Sequence, residues 1–246
     1  MNDLFTICKT TYTRILRTRA LYLLLAILLL IVAAAHLYHD LTMGREKELM
    51  FDTGAVVLAV VGLLTGLVVV FDVARDMREK LVVTLLSKPL GRTQYLLGKF
   101  AGVIWAGTIN LAILTAGISA LLYLENGSGR PEFLKAAFGA WGAMVMATGI
   151  GVLLITFLTE IPAVILTLLA FGLGHATERL YQSQWTIGSI LFGVLPNFAL
   201  LQFKSELSNG LAVDWSLIGL SVAYACVYTV ALLSVGAILF HRRDLA

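Results

Sequence analysis

"REKLVVTLLSKPLGRTQYLLGKF", Arg78 to Phe100, carries six charged side chains and a Pro-Leu-Gly break. Uncharged runs flank it on both sides, Gly54 to Phe71 and Phe100 to Leu124. Each is close to the roughly 20 apolar residues that cross about 30 Å of hydrocarbon. A polar segment between two such runs is a connection outside the membrane, so its reading sets the layout of the whole chain.

Composition agrees. Of the 246 residues, 59% are hydrophobic and only 13% charged, proportions outside those of a soluble globular domain. The net charge of +3 is read loop by loop, because topology follows where Lys and Arg fall; it gives no sign of a nucleic-acid partner. The two cysteines, Cys8 and Cys226, sit in different segments and form no metal-type pair or disulfide framework. The basic amino terminus and the apolar run after it are expected to form a retained span and not a cleaved signal peptide.

Besides the two flanking runs, Ala20 to Leu37, Ala136 to Thr159, Ile161 to Thr177, Leu180 to Phe203 and Trp215 to Phe240 lack Asp, Glu, Lys and Arg. The Leu180 to Phe203 stretch opens on Gln182-Ser183-Gln184 and is broken by Pro196-Asn197. What remains, Trp185 to Leu195, makes about 16 Å of helix, too short to cross. It suits a re-entrant or interfacial element. Six spans with the amino terminus inside put twelve basic residues on the cytoplasmic side and six outside, where acidic residues also gather. A seventh span would export "HRRDLA" against the positive-inside rule. The expected fold is therefore all-α and integral to the membrane, with six transmembrane helices and both termini cytoplasmic.

Leu4, Cys8, Tyr12, Ile15 and Leu16 recur at helical spacing, with Lys9, Thr13 and Arg17 elsewhere on the wheel. This predicts an amphipathic helix on the inner membrane surface ahead of the first span. From Asp72 to Leu86, Val73, Met77, Leu81 and Leu85 form an apolar stripe beside charged positions. That pattern predicts an in-plane cytoplasmic helix, stopped by Ser87-Lys88-Pro89 because proline lacks a backbone N–H. The chain restarts near Arg92. Such a helix is suited to docking a soluble partner.

"LLSKPLGRTQYLLGKFAG" resembles the signature of type-2 ATP-binding-cassette permeases, the membrane subunits of bacterial exporters, including those of copper-enzyme maturation and multidrug-type systems. "VLPNFALL" and "FHRRDL" resemble the outer element and basic tail of the same family. Lys80-Leu81 departs from the Gly-Thr or basic-Thr pair that many members carry. The resemblance implies one permease domain over 1–246: an elbow helix at 1–19, spans one and two at 20–71, and a coupling segment at 72–99. Spans three to five follow at 100–177, then an outer re-entrant region at 178–214, and span six with the basic tail at 215–246.

It further implies that Asp76, Glu79, Lys80, Ser87, Lys88, Pro89, Arg92, Tyr95 and Glu160 couple the chain to a cytoplasmic ATPase subunit dimer. A second copy of this permease, membrane lipids and a periplasmic protein complete the implied partners, at the bacterial inner membrane. ATP and Mg would belong to the ATPase, with no cofactor and no catalytic residue in this chain. The residues agree with that division: "GRTQYLLGK" has the wrong spacing for a Walker A loop, and Phe100 stands where Ser or Thr is required.

The spans hold no Asp pair, Ser-His dyad or HExxH motif for an intramembrane protease, and no midplane charge of the kind secondary transporters keep. The alternative reading is a membrane anchor, or a metal- or haem-associated subunit of a respiratory or copper-maturation complex. It rests on His36, His39 and His175 near outer span ends, and on His36, His39, Met43 and Met50 as a soft-metal set. Ordinary interfacial roles compete with both and are preferred. Gly62 and Gly66, and Gly98 and Gly102, are spaced for close helix approach. Asn110, about 16 Å along its helix from Lys99, either lines a pathway, with Thr115, or bonds a neighbouring helix.

Overall fold

The computed structural model describes residues 2–17, 19–37, 46–79, 91–126, 132–175, 196–203 and 213–242. Among the described residues seven α-helices run in chain order: α1 Asn2–Leu16, α2 Arg19–Leu37, α3 Glu46–Arg78, α4 Arg92–Asn126, α5 Glu132–Phe157, α6 Glu160–His175 and α7 Trp215–Arg242. A single 3-10 turn spans Ala199–Leu201, and no strand occurs among the described residues. In hydrocarbon every backbone N–H and C=O must bond within its own segment, which is why uncharged runs of this length fold as helices.

Among the described residues four helices are long and apolar enough to cross a membrane: Phe51–Arg78, Arg92–Tyr123, Glu132–Phe157 and Trp215–His241. The chain is a multi-pass membrane protein. Two more helices are apolar but shorter, Leu25–Ala34 within α2, and α6.

The predicted in-plane helix beginning at Asp72 takes a different form. Residues 72–78 are the last two turns of α3, which is continuous from Glu46. Between Phe71 and Arg78 no Gly or Pro interrupts the ladder, so the helix of the apolar run continues through "DVARDMR". Residues 80–90, with Lys80, Ser87, Lys88 and Pro89, lie outside the described residues. So do His39 and Met43, and the side chains of His36 and Met50.

Helix α5 is the centre of the bundle. Seventy-eight per cent of its apolar window is buried, against 17% for α7, which presents Leu220, Val227 and Val230 outward. Glycine and alanine bring α3 against it: a Cβ on Gly62 would stand 3.2 Å from the Ala140 carbonyl, and one on Gly66 3.1 Å from the Thr148 nitrogen. The Gly62/Gly66 spacing read from the sequence is thus the α3–α5 seam. Hydroxyls inside the bundle are closed locally. Thr148, Thr167 and Thr229 each donate to the carbonyl four residues earlier, at 2.7 Å.

The second glycine pair has another partner. Gly98 and Gly102 face α1, where a Cβ would stand 2.8 Å from Ile7 Cγ2 and 2.7 Å from Thr11 Cβ. The buried stripe of α1 is therefore Ile7, Thr11 and Ile15, one step round the wheel from the stripe Leu4, Cys8, Tyr12. The branched side chains of Ile7 and Thr11 fit the glycine hollows of α4, and this pairing sets the rotation of α1.

At the opposite end of the bundle, Pro196 to Phe203 tucks between α5, α6 and α7. The Phe198 N–H donates to the Gly174 carbonyl at 3.0 Å, and the Asn197 N–H to the Tyr224 hydroxyl at 3.1 Å. Asn197 Oδ1 accepts from the Ala199 N–H at 3.0 Å, an Asx-type bond that turns the chain after proline. Phe198 is fully buried, and Gly139 leaves no room for a Cβ against the Leu201 carbonyl. Residues 176–195 and 204–212 of the expected outer region lie outside the described residues.

Candidate functional site at the charged end of the bundle

The carboxyl end of α3, the amino end of α4, the α5–α6 turn and the carboxyl end of α7 meet at one end of the bundle, with α1 laid across α4. Asp72 and Asp76 are four residues apart on α3, so both carboxylates point from one helix face. Both are buried. Arg14 of α1 reaches Asp72 Oδ1 at 2.8 Å and Asp76 Oδ1 at 3.0 Å through the same Nη1. Lys99 of α4 reaches the remaining oxygens, Asp72 Oδ2 at 2.5 Å and Asp76 Oδ2 at 2.7 Å. The Tyr95 hydroxyl donates to Asp76 Oδ2 at 2.9 Å.

Every carboxylate oxygen of the pair is thus engaged, and two cations balance two anions. A charge taken out of water is tolerated only when paired and fully bonded, and breaking such a set by removing one partner is costly. Burial pushes the Arg14 guanidinium down, but its bonds to Asp76 and Asp72 outweigh that and hold it above its ordinary value. The cluster fastens α1, α3 and α4 to one another as a unit. Arg92 adds α7, donating to the carbonyls of Phe240 at 3.1 Å and His241 at 3.0 Å, where the last helical carbonyls lack an intrahelical partner. Tyr95 stacks on Phe240 with ring centroids 6.2 Å apart.

These positions revise the set expected to face a partner. Asp76 and Tyr95 are inside the bundle, 2% and 1% exposed, because Lys99 and Arg14 draw the carboxylate inward and the tyrosine hydroxyl follows it. Arg92 caps α7. Glu79 and Glu160 do lie toward the surface: Glu79 accepts from Arg75 Nε at 2.8 Å on an exposed face, and Glu160 from Arg78 Nη1 at 2.7 Å. The Arg78–Glu160 pair bridges the end of α3 to the start of α6. Beside it lies a cavity of about 350 Å³ lined by Met77, Ile155 and Leu158.

Sequence reading drew the spans to stop at Phe71 and restart at Phe100, which left Asp72 and Lys99 as loop charges. The overlooked signal was Asp72 and Asp76 four residues apart with Lys99 across the break, opposite charges hard against two apolar runs. Arg14 carries no such signal, since its partners lie 58 and 62 residues away.

Of the expected pathway residues, Asn110 is 1% exposed in the core face of α4, and neither its Nδ2 nor its Oδ1 has a partner among the described residues. Thr115 lies on a different face, in a groove between α4 and α5. His175 is held by aromatics, its ring parallel to Phe198 at 5.5 Å and its Nδ1 2.8 Å from the Phe171 carbonyl. Among the described residues no three of His, Cys, Asp and Glu cluster as a metal site.

Residues 49–246 match the family model described as Protein of unknown function (DUF2705). Comparison with curated proteins finds no match. The matched stretch contains Asp72, Asp76, Tyr95 and Lys99, while Arg14 and the whole of α1 precede it.

Proposed function

The chain belongs to the DUF2705 family, and we propose that it is the membrane-spanning permease subunit of an ATP-binding-cassette exporter, driven by a separate cytoplasmic ATPase dimer. The observation that carries this reading is the construction of the charged end. A buried, charge-balanced cluster joins α1, α3 and α4, Arg92 ties in α7, and Arg75, Arg78, Glu79 and Glu160 stand at its rim. A push on that rim from a soluble partner is delivered to several membrane helices together, as coupling requires.

In this reading α2 and α6, about 28 and 24 Å long, also cross the bilayer. That gives six spans, with both termini and the charged end in the cytoplasm of a bacterial inner membrane. Helix α1 is the elbow, and the tucked Pro196 to Phe203 segment is the returning limb of the outer element. The chain works as a dimer over two ATPase subunits and hydrolyses nothing itself. Its overall work is transport, or mechanical action on a partner, across the membrane.

The test is co-expression of the full chain with an ATP-binding-cassette ATPase subunit from the same genome, co-purification, and ATP hydrolysis in the complex. A two-plus-two assembly is expected, with hydrolysis slowed by Arg78→Glu or Glu160→Lys and restored when both are combined. Arg78 is 67% exposed and Glu160 23%, which puts the pair at about 1 kcal/mol of stability, and thermal unfolding of each variant separates lost coupling from lost fold. Hydrolysis by the isolated chain, or no complex, overturns the reading.

A further inference from the structure

A groove of about 970 Å³ runs along the face of α4 that bears Trp105, Thr108, Ala112, Thr115, Ala116 and Ser119. Its far wall is α5, through Leu134, Phe138 and Trp141. The floor is small, alanine and hydroxyl residues, and the rims are aromatic. The Trp141 indole N–H donates to Thr108 Oγ1 at 2.9 Å, and that hydroxyl donates to the Ile104 carbonyl at 2.8 Å, so the wall is fixed before anything binds. From Ile104 to Ser119 the groove follows about 22 Å of helix, most of the roughly 30 Å of hydrocarbon.

Next to Leu134 in the chain, outside the residues that line the groove, stands a cation. Lys135 donates to the Val213 carbonyl at 2.8 Å, and its Nζ stands 5.5 Å from the centre of the Trp215 ring. Trp215 meets Phe138 of the groove edge-on, with centroids 5.9 Å apart. An ammonium has three donors, and a single carbonyl uses one. A long apolar slot beside a partly buried cation matches a molecule that is an apolar chain with an anionic head.

We propose that this groove holds an acyl chain of an anionic phospholipid whose phosphate is met by Lys135. The site is independent of the ATPase reading, because it needs only the α4–α5 face, the start of α7 that holds Lys135, and the bilayer. Bound there, the lipid would brace α4 and α5 on the side away from α1. Thr115 and Ser119, one turn apart, line the slot between the aromatic rims and Lys135 and offer hydroxyls to the ester carbonyls.

Tryptophan fluorescence tests this, since Trp105 and Trp141 line the slot. The full chain is placed in phosphatidylcholine vesicles containing increasing fractions of acyl-brominated phosphatidylglycerol, or of acyl-brominated phosphatidylcholine. In the native chain the anionic lipid is expected to reach half-quenching at about a fivefold lower fraction, as one basic side chain contributes near a membrane surface. Ala116→Phe fills the floor and is expected to remove the quenching that saturates early with either lipid. Lys135→Gln is expected to keep that quenching but lose the anionic preference, and Lys135→Arg to retain it, with far-UV circular dichroism showing the helices intact. Equal curves for the two lipids in the native chain, or no effect of Ala116→Phe, mean ordinary annular contact and overturn the site. An unchanged preference in Lys135→Gln overturns the headgroup assignment. A second copy seated in the slot would shield Trp105 from both lipids alike, and that result also overturns it.

Discussion

Gly102 of α4 and Thr11 of α1 approach so closely that a Cβ on the glycine would stand 2.7 Å from the threonine Cβ. This contact, with Gly98 against Ile7 one turn earlier, makes an amphipathic helix a fixed part of the bundle. It also aims Arg14, one turn beyond Thr11, at the two aspartates of α3.

Gly102→Val is therefore expected to lift α1 from α4, overpacking by about 1 to 3 kcal/mol. Cys8 reports it. Its carbonyl lies 2.8 Å from the position of the added Cβ, and burial pushes its thiol above the ordinary value, so the reactive thiolate is scarce at neutral pH. Release restores the ordinary value and the access together. In a Cys226→Ser background, maleimide should label Cys8 severalfold faster in Gly102→Val, with the rate rising at lower pH than in the parent. An unchanged rate and pH profile would show that α1 does not depend on the glycine hollow.

Lys99 holds both aspartates from inside the bundle, where its side chain is 4% exposed. Lys99→Met leaves two carboxylates to a single, partly exposed guanidinium, and is expected to cost about 3 to 5 kcal/mol. Adding Asp72→Asn to Lys99→Met should recover more than 1 kcal/mol, because the two sites share a network and their effects do not add. Thermal unfolding in detergent measures both. Near-native stability of Lys99→Met would mean that the four charges do not act as a closed set.

The proposed six-span arrangement, with both termini on one side, predicts a labelling pattern. Single cysteines introduced at Ser208 and Ala246, in a chain lacking Cys8 and Cys226, should react with a membrane-impermeant reagent from opposite sides, Ser208 from the periplasm. Reaction of position 246 from the periplasmic side would remove the six-span reading and the exporter proposal with it.

Much of the helical layout could be read from residue types alone. Runs free of charge for 18 residues or more have one stable form in hydrocarbon, so α3, α4, α5 and α7 were legible as membrane helices without any contact being known. Gly62 and Gly66 were legible as a close seam, though not their partner. The ends of those helices were less legible, because a charge next to an apolar run looks the same whether it faces water or a buried counter-charge. Asp76 and Tyr95, which the family resemblance placed in the coupling set, lie inside the bundle.

What the sequence by itself determined is membrane insertion, helix type and the approximate limits of the long helices, since these follow from the local cost of exposing backbone and charge to hydrocarbon. Only the tertiary structure decided which charges are shared. Arg14, Asp72, Asp76 and Lys99 come from three helices, and the pairing of Arg14 with Asp76 spans 62 residues. Their partnership depends on the rotation of α1 in the glycine hollows of α4, a packing relation that no local pattern encodes.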